Sequence, residues 1–213
     1  TAGFSVVTYT GNGTSGATIG HGLGVAPKMI IVKIRNGSPN NWRVYHASLT
    51  SASYFLYLNG TQAQGSDSTV WNSTAPTSSV FSLGTNADVN ASTYNYVAYC
   101  FADLEGYSKI GSYTGNGLDD GPFIYTGFRP AYLLMKRTNV AGNWGVWDTA
   151  RDPDNAVIYE LVPNALDAET TAAGDRLDIL SNGFKLRNLG AAYNASGGTY
   201  IYMAFAENPF KNS

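Results

Sequence analysis

Short runs of aromatic and β-branched residues alternate along the whole chain with segments rich in Gly, Asn and Ser. Runs of this kind are typical of β-strands, and the polar segments between them supply the chemistry of turns. The runs predict strands at Pro27–Arg35, Trp42–His46, Tyr54–Asn59, Ser79–Leu83, Tyr94–Phe101, Ala131–Arg137, Trp144–Asp148, Ala156–Leu161, Arg176–Leu180, Gly183–Arg187 and Thr199–Ala206. The pattern therefore predicts an all-β protein with at most one short helix, near Ala165–Ala173.

The chain also resembles itself at a distance of about 100 residues, and such internal repeats decide the architecture of a fold. Thr8–Gly13 recurs as Ser112–Gly117, and Asn41–His46 recurs as Asn143–Asp148. Three further pairs keep the same order: Val25–Lys33 with Phe128–Lys136, Val80–Leu83 with Gly183–Leu186, and Thr93–Tyr99 with Thr199–Phe205. A unit of this length is a small domain rather than a solenoid repeat. The sequence predicts two tandem homologous β-sandwich units, jelly-roll-like and related by a pseudo-twofold, at residues 1–105 and 106–213.

The low charge of the chain limits the kinds of molecule that it can be expected to bind. Only 13% of the 213 residues are charged, and the net charge is -2. This balance gives no strong attraction to nucleic acid, and no apolar run reaches the ~20 residues of a membrane helix, so we expect neither nucleic-acid binding nor membrane insertion. Cys100 is the one cysteine, so no disulfide can form within the chain. The start, Thr1–Phe4, lacks the features of a signal peptide, and we interpret the chain as a piece of a longer polypeptide made in a reducing cytosol.

The sequence holds no recognisable catalytic constellation. His21 and His46 are the only histidines, neither recurs in the other repeat, and no Gly-x-Ser-x-Gly segment accompanies them. The acidic residues of the second repeat could supply the two carboxylates of a glycoside hydrolase, but nothing in their spacing selects a pair. We therefore expect a protein that is not an enzyme.

Evidence for a metal site is confined to two short acidic segments, the turn Asp152–Asn155 and the pair Asp119–Asp120. Asp152–Asn155 offers oxygen ligands of the kind that calcium prefers. An Asp-Pro-Asp-Asn turn also forms without a metal, because its side chains bond to its own backbone. We expect no cofactor, with calcium at this turn as the alternative.

A binding surface is the remaining functional feature that the sequence indicates. Aromatic rings stack on sugar rings, and Asn, Asp and Ser side chains bond to sugar hydroxyls. Residues shared by both repeats are better explained by folding, so the candidates for ligand binding are those that one repeat alone carries. They are His21, His46, Trp71, Trp147, Asp148, Arg151, Asp152 and Asp154.

A resemblance to a known family lies in the repeated blocks, among them TGNGTSGATIGHGLGVAPKMIIVK, NWRVYHASL, LSNGFKLR and TYIYMAFAENPF. They resemble a duplicated module of uncertain function in large structural proteins of tailed bacteriophages, especially marine ones, which often follows a concanavalin-like lectin or glucanase domain. The resemblance covers essentially the whole chain and brings no catalytic residues. It implies a component of the virion, such as a tail-fibre or spike tip or a fibre on the capsid.

Three hypotheses follow from the residues and the resemblance together. The first is a non-enzymatic attachment module that binds a host-surface glycan or protein and forms a homo-oligomer, with a trimer as one form that the resemblance implies. The second is a purely structural module that mediates oligomerisation or assembly of the virion. The third is a depolymerase of host polysaccharide, which would need two opposed carboxylates in a groove.

Overall fold

The structure is a computed structural model, and it describes residues 3–37, 40–171, 176–187 and 190–209. Its contacts divide the chain into two compact units, Thr1–Asp103 and Leu104–Ser213, here called unit 1 and unit 2. Strands form most of the regular structure in both units, so the protein is all-β. None of the described helices has the length and apolar character that crossing a membrane requires.

Unit 1 contains a six-stranded antiparallel sheet and a two-stranded sheet. Its elements are β1 (Phe4–Thr10), β2 (Ala17–Gly20), β3 (Met29–Ile34), β4 (Arg43–His46), β5 (Tyr54–Tyr57), β6 (Gly65–Ser66), α1 (Ser68–Trp71), β7 (Val80–Leu83), α2 (Ala87–Asn90) and β8 (Asn95–Phe101). The larger sheet has the order β1-β8-β3-β4-β5-β6, and β2 pairs with β7. Buried side chains from both sheets, such as Ile30 on β3, Ala98 on β8 and Phe81 on β7, form one core.

Unit 2 contains a four-stranded, a three-stranded and a small two-stranded sheet. Its elements are β9 (Ser108–Thr114), β10 (Asp120–Tyr125), β11 (Pro130–Arg137), β12 (Trp144–Asp148), β13 (Tyr159–Glu160), β14 (Thr170–Thr171), β15 (Arg176–Leu180), β16 (Gly183–Arg187), α3 (Ala191–Asn194) and β17 (Thr199–Ala206). The sheets have the orders β12-β11-β17-β9, β10-β16-β15 and β13-β14. Leu133 on β11, Ala204 on β17 and Phe184 on β16 belong to one buried core between the two larger sheets.

The two units share a strand order and a way of closing the repeated Gly-Asn-Gly segment. The order β1-β8-β3-β4 in unit 1 corresponds to β9-β17-β11-β12 in unit 2. The Oδ1 of buried Asn90 accepts a 3.0 Å hydrogen bond from the backbone N–H of Asn12, and Asn194 accepts one of 2.9 Å from Asn116. Gly13 has a φ of 69° and its counterpart 68°, a conformation that favours glycine. These repeated contacts explain why the segment recurs, while the duplication itself stays a prediction from the sequence.

The predicted helix near Ala165–Ala173 is wrong over the residues that the structure describes. Residues 165–169 are not helical, and Thr170–Thr171 pairs with Tyr159–Glu160 as a short antiparallel ladder. Ala172 and Ala173 lie outside the described residues. A segment this short has little helical stability of its own, so pairing with a neighbouring strand decides its conformation.

Candidate functional site

The two tryptophans selected from the sequence belong to the cores of their units. Trp71 is 1% exposed and packs edge-on against Tyr45, with ring centroids 6.0 Å apart. Trp147 is 0% exposed and packs edge-on against Tyr193 at 4.8 Å. A sugar ring cannot stack on an indole that core side chains already cover. The structure therefore corrects the choice of these residues as stacking surfaces: burying so large a ring favours folding more than displaying it would.

The two histidines are also buried, and each holds a turn of unit 1 in place. The Nδ1 of His21 accepts a 3.2 Å hydrogen bond from the N–H of Leu23, so its Nε2 carries the proton and donates to the carbonyl of Thr77 at 3.1 Å. The Nδ1 of His46 accepts a bond of 3.1 Å from the N–H of Ser48. Neither ring is placed to meet a ligand from solvent, because local backbone groups and packing occupy its surroundings.

Asp148 and Arg151, three residues apart in the sequence, form an ion pair. Arg151 Nε is 2.6 Å from Asp148 Oδ2, and the Arg151 N–H donates to Asp148 Oδ1 at 2.9 Å. The other end of the guanidinium lies 2.6 Å from Glu169 Oε2. Partial burial would raise the pKa of the Asp148 carboxyl, but the hydrogen bonds from Arg151 outweigh it and lower the pKa below its ordinary value. Arg151 is thus engaged by two carboxylates of its own chain.

The acidic turn after Arg151 is closed by the backbone. Asp152 is buried, and its Oδ2 accepts hydrogen bonds from the N–H groups of Ile158 at 2.6 Å and Tyr159 at 3.2 Å. Asp154 is exposed. In the part of the chain that the structure describes, no three His, Cys, Asp or Glu side chains come together as they would around a metal ion.

A different surface of unit 2 carries exposed aromatic side chains. Phe123 is 45% exposed and Tyr125 is 64% exposed, whereas Ile124 between them is buried in the core. Phe123 pairs with Lys185 on β16, and Lys185 pairs with Asp178 on β15. Cross-strand partners share a face of the sheet, so these side chains form one surface. We call it the aromatic face, formed by Asp120, Phe123, Tyr125, Asp178, Lys185 and Arg187.

Ion pairs hold the polar side chains of the aromatic face. Lys185 Nζ lies 2.8 Å from Asp120 Oδ1 and donates to the carbonyl of Gly121 at 2.7 Å. Arg187 Nε lies 2.8 Å from Asp178 Oδ2. The hydrogen bond from Lys185 lowers the pKa of the Asp120 carboxyl below its ordinary value, so Asp120 is a carboxylate at neutral pH. Exposed ion pairs contribute little to stability, and their main effect here is to fix polar groups beside the two rings.

A glycine places the Phe123 ring on the sheet. A Cβ atom at Gly183 would lie 2.9 Å from Cε2 of Phe123 and 2.1 Å from the carbonyl oxygen of Ile124. The missing side chain therefore lets the ring lie over β16 and lets β10 approach closely. β10 was absent from the predicted strands because Gly121 and Pro122 interrupt its pattern.

The aromatic face is specific to unit 2. Residue by residue, the repeated blocks place Ser82 where unit 2 has Lys185, and the register of β2 with β7 then puts Thr18 at the position of Phe123 and Gly20 at that of Tyr125. The sequence rule that favours residues carried by one repeat alone would have found these aromatics. None of the repeated blocks reaches β2 or β10, so comparison of the repeats does not extend to these aromatics.

Comparison with known proteins identifies a family and no individual relative. The family model described as Domain of unknown function (DUF7483) matches residues 1–209, which takes in both units. No curated protein and no solved structure matches the chain.

Proposed function

The chain belongs to the DUF7483 family of unknown function, and we propose that it is a non-enzymatic attachment module that binds glycan through its aromatic face. In this proposal the module is part of a bacteriophage virion and meets carbohydrate on the host surface. The bacteriophage setting is supported by the resemblance of its repeated blocks, and the choice of surface by the geometry of unit 2.

One observation supports this function above the others: two neighbouring aromatic rings stand exposed on a sheet, beside polar groups held by ion pairs. Phe123 and Tyr125 are two residues apart on one strand, which separates them by about 7 Å. Rings so placed can each cover the apolar side of one sugar in an extended chain, while Lys185 and Asp120 meet the hydroxyls. Large exposed aromatics cost solubility, so a pair on one strand is typical of a binding surface.

Binding to a glycan array followed by calorimetry tests the function. The double variant Phe123→Ala/Tyr125→Ala should lose affinity by at least about tenfold, because two stacking rings are removed from the centre of the surface. Thr18→Ala/Ser82→Ala changes the corresponding surface of unit 1 and is the matched control, which should bind like the wild type. Wild-type protein that binds no glycan at millimolar concentration, or a folded double variant that binds normally, would contradict the proposal.

Assembly of the virion is the second candidate, and the edge of the larger sheet in unit 1 favours it. β1 lies at the end of that sheet, and its Phe4 and Val6 side chains are exposed. An edge strand with apolar side chains is a template for pairing with another chain. Light scattering after size exclusion distinguishes the two functions: a trimer that Phe4→Asp/Val6→Asp dissociates supports assembly through β1, and a monomer with glycan affinity supports attachment.

A further inference from the structure

We propose that unit 1 holds a second sugar subsite, a small depression that takes a single neutral sugar ring against Tyr94. The depression has a volume of about 220 Å³ and is lined by Ile34, Asn40, Ala87, Ala91 and Tyr94. The class of ligand, a sugar, rests on the proposed function. The location of the subsite rests on the geometry of unit 1.

Tyr94 directly precedes β8, and its ring is partly exposed to solvent. It is 41% exposed, and its backbone is fixed at both ends: its N–H donates to Ala91 O at 3.3 Å and its carbonyl accepts from Gly11 N at 2.8 Å. The ring lies against Gly37, where a Cβ atom would be 2.6 Å from Cε1 of Tyr94. The glycine therefore permits a close contact that sets the position of the ring.

Unit 2 has the same backbone here without the side chains, and its hydrogen bonds correct by two residues the alignment of Thr93 with Thr199 that the sequence suggests. Thr93 and its counterpart Gly197 have φ values of 70° and 68°, and both N–H groups donate to the glycine of the repeated segment, Gly11 or Gly115. A β-branched residue is strained at this φ, and a glycine is not. Tyr94 corresponds to Gly198 in the same way, so unit 1 keeps a strained threonine beside an exposed tyrosine where unit 2 has two glycines. Strain that is retained in one copy alone points to a function of that copy.

The lining of the depression fits a neutral sugar. The side chain of Ile34 is buried and apolar, Tyr94 gives an aromatic ring, and Asn40 gives an amide whose nitrogen donates to the Ala87 carbonyl at 3.4 Å. The ammonium group of Lys33 donates to the main-chain carbonyl of Asn40, which holds that residue in place. None of the five lining residues is charged. The volume is below the about 300–1,000 Å³ of clefts for larger ligands, so one ring is the size of ligand that fits.

Titration of ¹⁵N-labelled protein with the methyl glycosides of glucose, galactose and N-acetylglucosamine tests the subsite. We expect saturable shifts of the backbone amides of Gly37, Thr93, Tyr94 and Asn95 with at least one of these probes. Tyr94→Ala should weaken that response by at least about tenfold, and Tyr94→Phe, which keeps the ring, should largely retain it. Tyr125→Ala should leave the shifts around Tyr94 unchanged, because it alters unit 2 alone.

The outcomes separate this subsite from the proposed function. Shifts confined to the aromatic face would overturn the subsite and leave the function standing. If the amides around Tyr94 respond only to methyl glucuronide, an anionic sugar, the ligand is not a neutral sugar as proposed. If the response survives in Tyr94→Ala, the ligand does not bind at Tyr94. No shifts in either unit, together with a negative glycan array, would remove both the subsite and the function.

Discussion

Asn90 is the residue that closes the loop between β1 and β2. Its amide nitrogen donates to the carbonyls of Thr14 at 3.0 Å and Gly84 at 2.7 Å, while its Oδ1 accepts from Asn12. A buried polar group is stabilising only when its hydrogen bonds are satisfied, and here a single side chain satisfies three backbone groups at once. Asn194 donates to Leu118 O at 2.8 Å in the equivalent place. In each unit, a single buried amide thus fixes the loop that leads from β1 to β2 or from β9 to β10.

Thr93 and Gly197 make a matched pair for measuring backbone strain. The left-handed conformation costs a residue with a side chain about 1–2 kcal/mol of folding free energy. A glycine avoids this strain, but its greater freedom in the unfolded chain lowers the stability of the fold and so offsets part of the gain. We expect Thr93→Gly to raise the free energy of unfolding by about 0.5–1 kcal/mol and Gly197→Thr to lower it by a similar amount, as measured by urea denaturation. No atom lies within 4 Å of a Cβ at Gly197, so its substitution reports backbone strain without a clash. Equal stability of both variants and the wild type would contradict this account.

Cys100 is buried in the core of unit 1, and burial raises the pKa of its thiol to about 12. The folded thiol therefore stays protonated at a pH where the unfolded one ionises. Its contribution to stability is complete below the unfolded pKa of about 9 and is lost as the pH rises from there towards the folded value. Iodoacetamide at about pH 8.5 should label the protein in urea and leave the native protein unlabelled, since only the accessible thiolate reacts.

The variant Cys100→Ala is the control for this pH dependence. It removes the ionising group, so its stability should fall less steeply above about pH 9 than that of the wild type. Rapid alkylation of the native thiol would show that the core around Cys100 opens readily, which would contradict its burial.

At the scale of elements, the pairing of β10 with β16 creates the aromatic face. Gly183 is essential to this pairing because any side chain there would meet the backbone of Ile124. We expect Gly183→Ala to destabilise the protein by about 1–3 kcal/mol and to weaken glycan binding, although Gly183 has no side chain to offer a ligand. Gly142→Ala is the matched control, because nothing lies within 4 Å of a Cβ at that position. Urea denaturation and calorimetry measure the two effects, and a Gly183→Ala protein with both properties intact would rule out this role.

Several elements could be predicted from local pattern alone. Trp144–Asp148, Gly183–Arg187 and Thr199–Ala206 have the bounds that the sequence predicts. β1 fits the local pattern although it is not among the predicted strands, whereas β9 is interrupted by Lys, Gly and Ser and β10 by Gly and Pro. These strands form because neighbouring strands offer hydrogen bonds in register, and no local pattern contains that information.

At the scale of the whole molecule, low charge governs the response to salt. Only 13% of the residues are charged, and the ion pairs of the aromatic face are partly or largely exposed. Stacking and hydrogen bonds to a neutral glycan are not screened by ions. We expect the dissociation constant for glycan to change by less than about twofold between about 50 and 500 mM NaCl. A steep loss of affinity with salt would instead indicate an anionic ligand held by Lys185 and Arg187.

The sequence by itself determined the all-β class, the position of most strands and the recurrence of the Gly-Asn-Gly segment. Each of these follows from side-chain alternation and turn residues, which act over a few neighbours along the chain. Only the tertiary structure decided which aromatics reach solvent. The sequence selects Trp71 and not Tyr125 for stacking on a sugar, yet Trp71 is enclosed by its core and Tyr125 is exposed on a sheet. Exposure depends on what the rest of the fold packs against a side chain, and contacts between residues distant in sequence decide that.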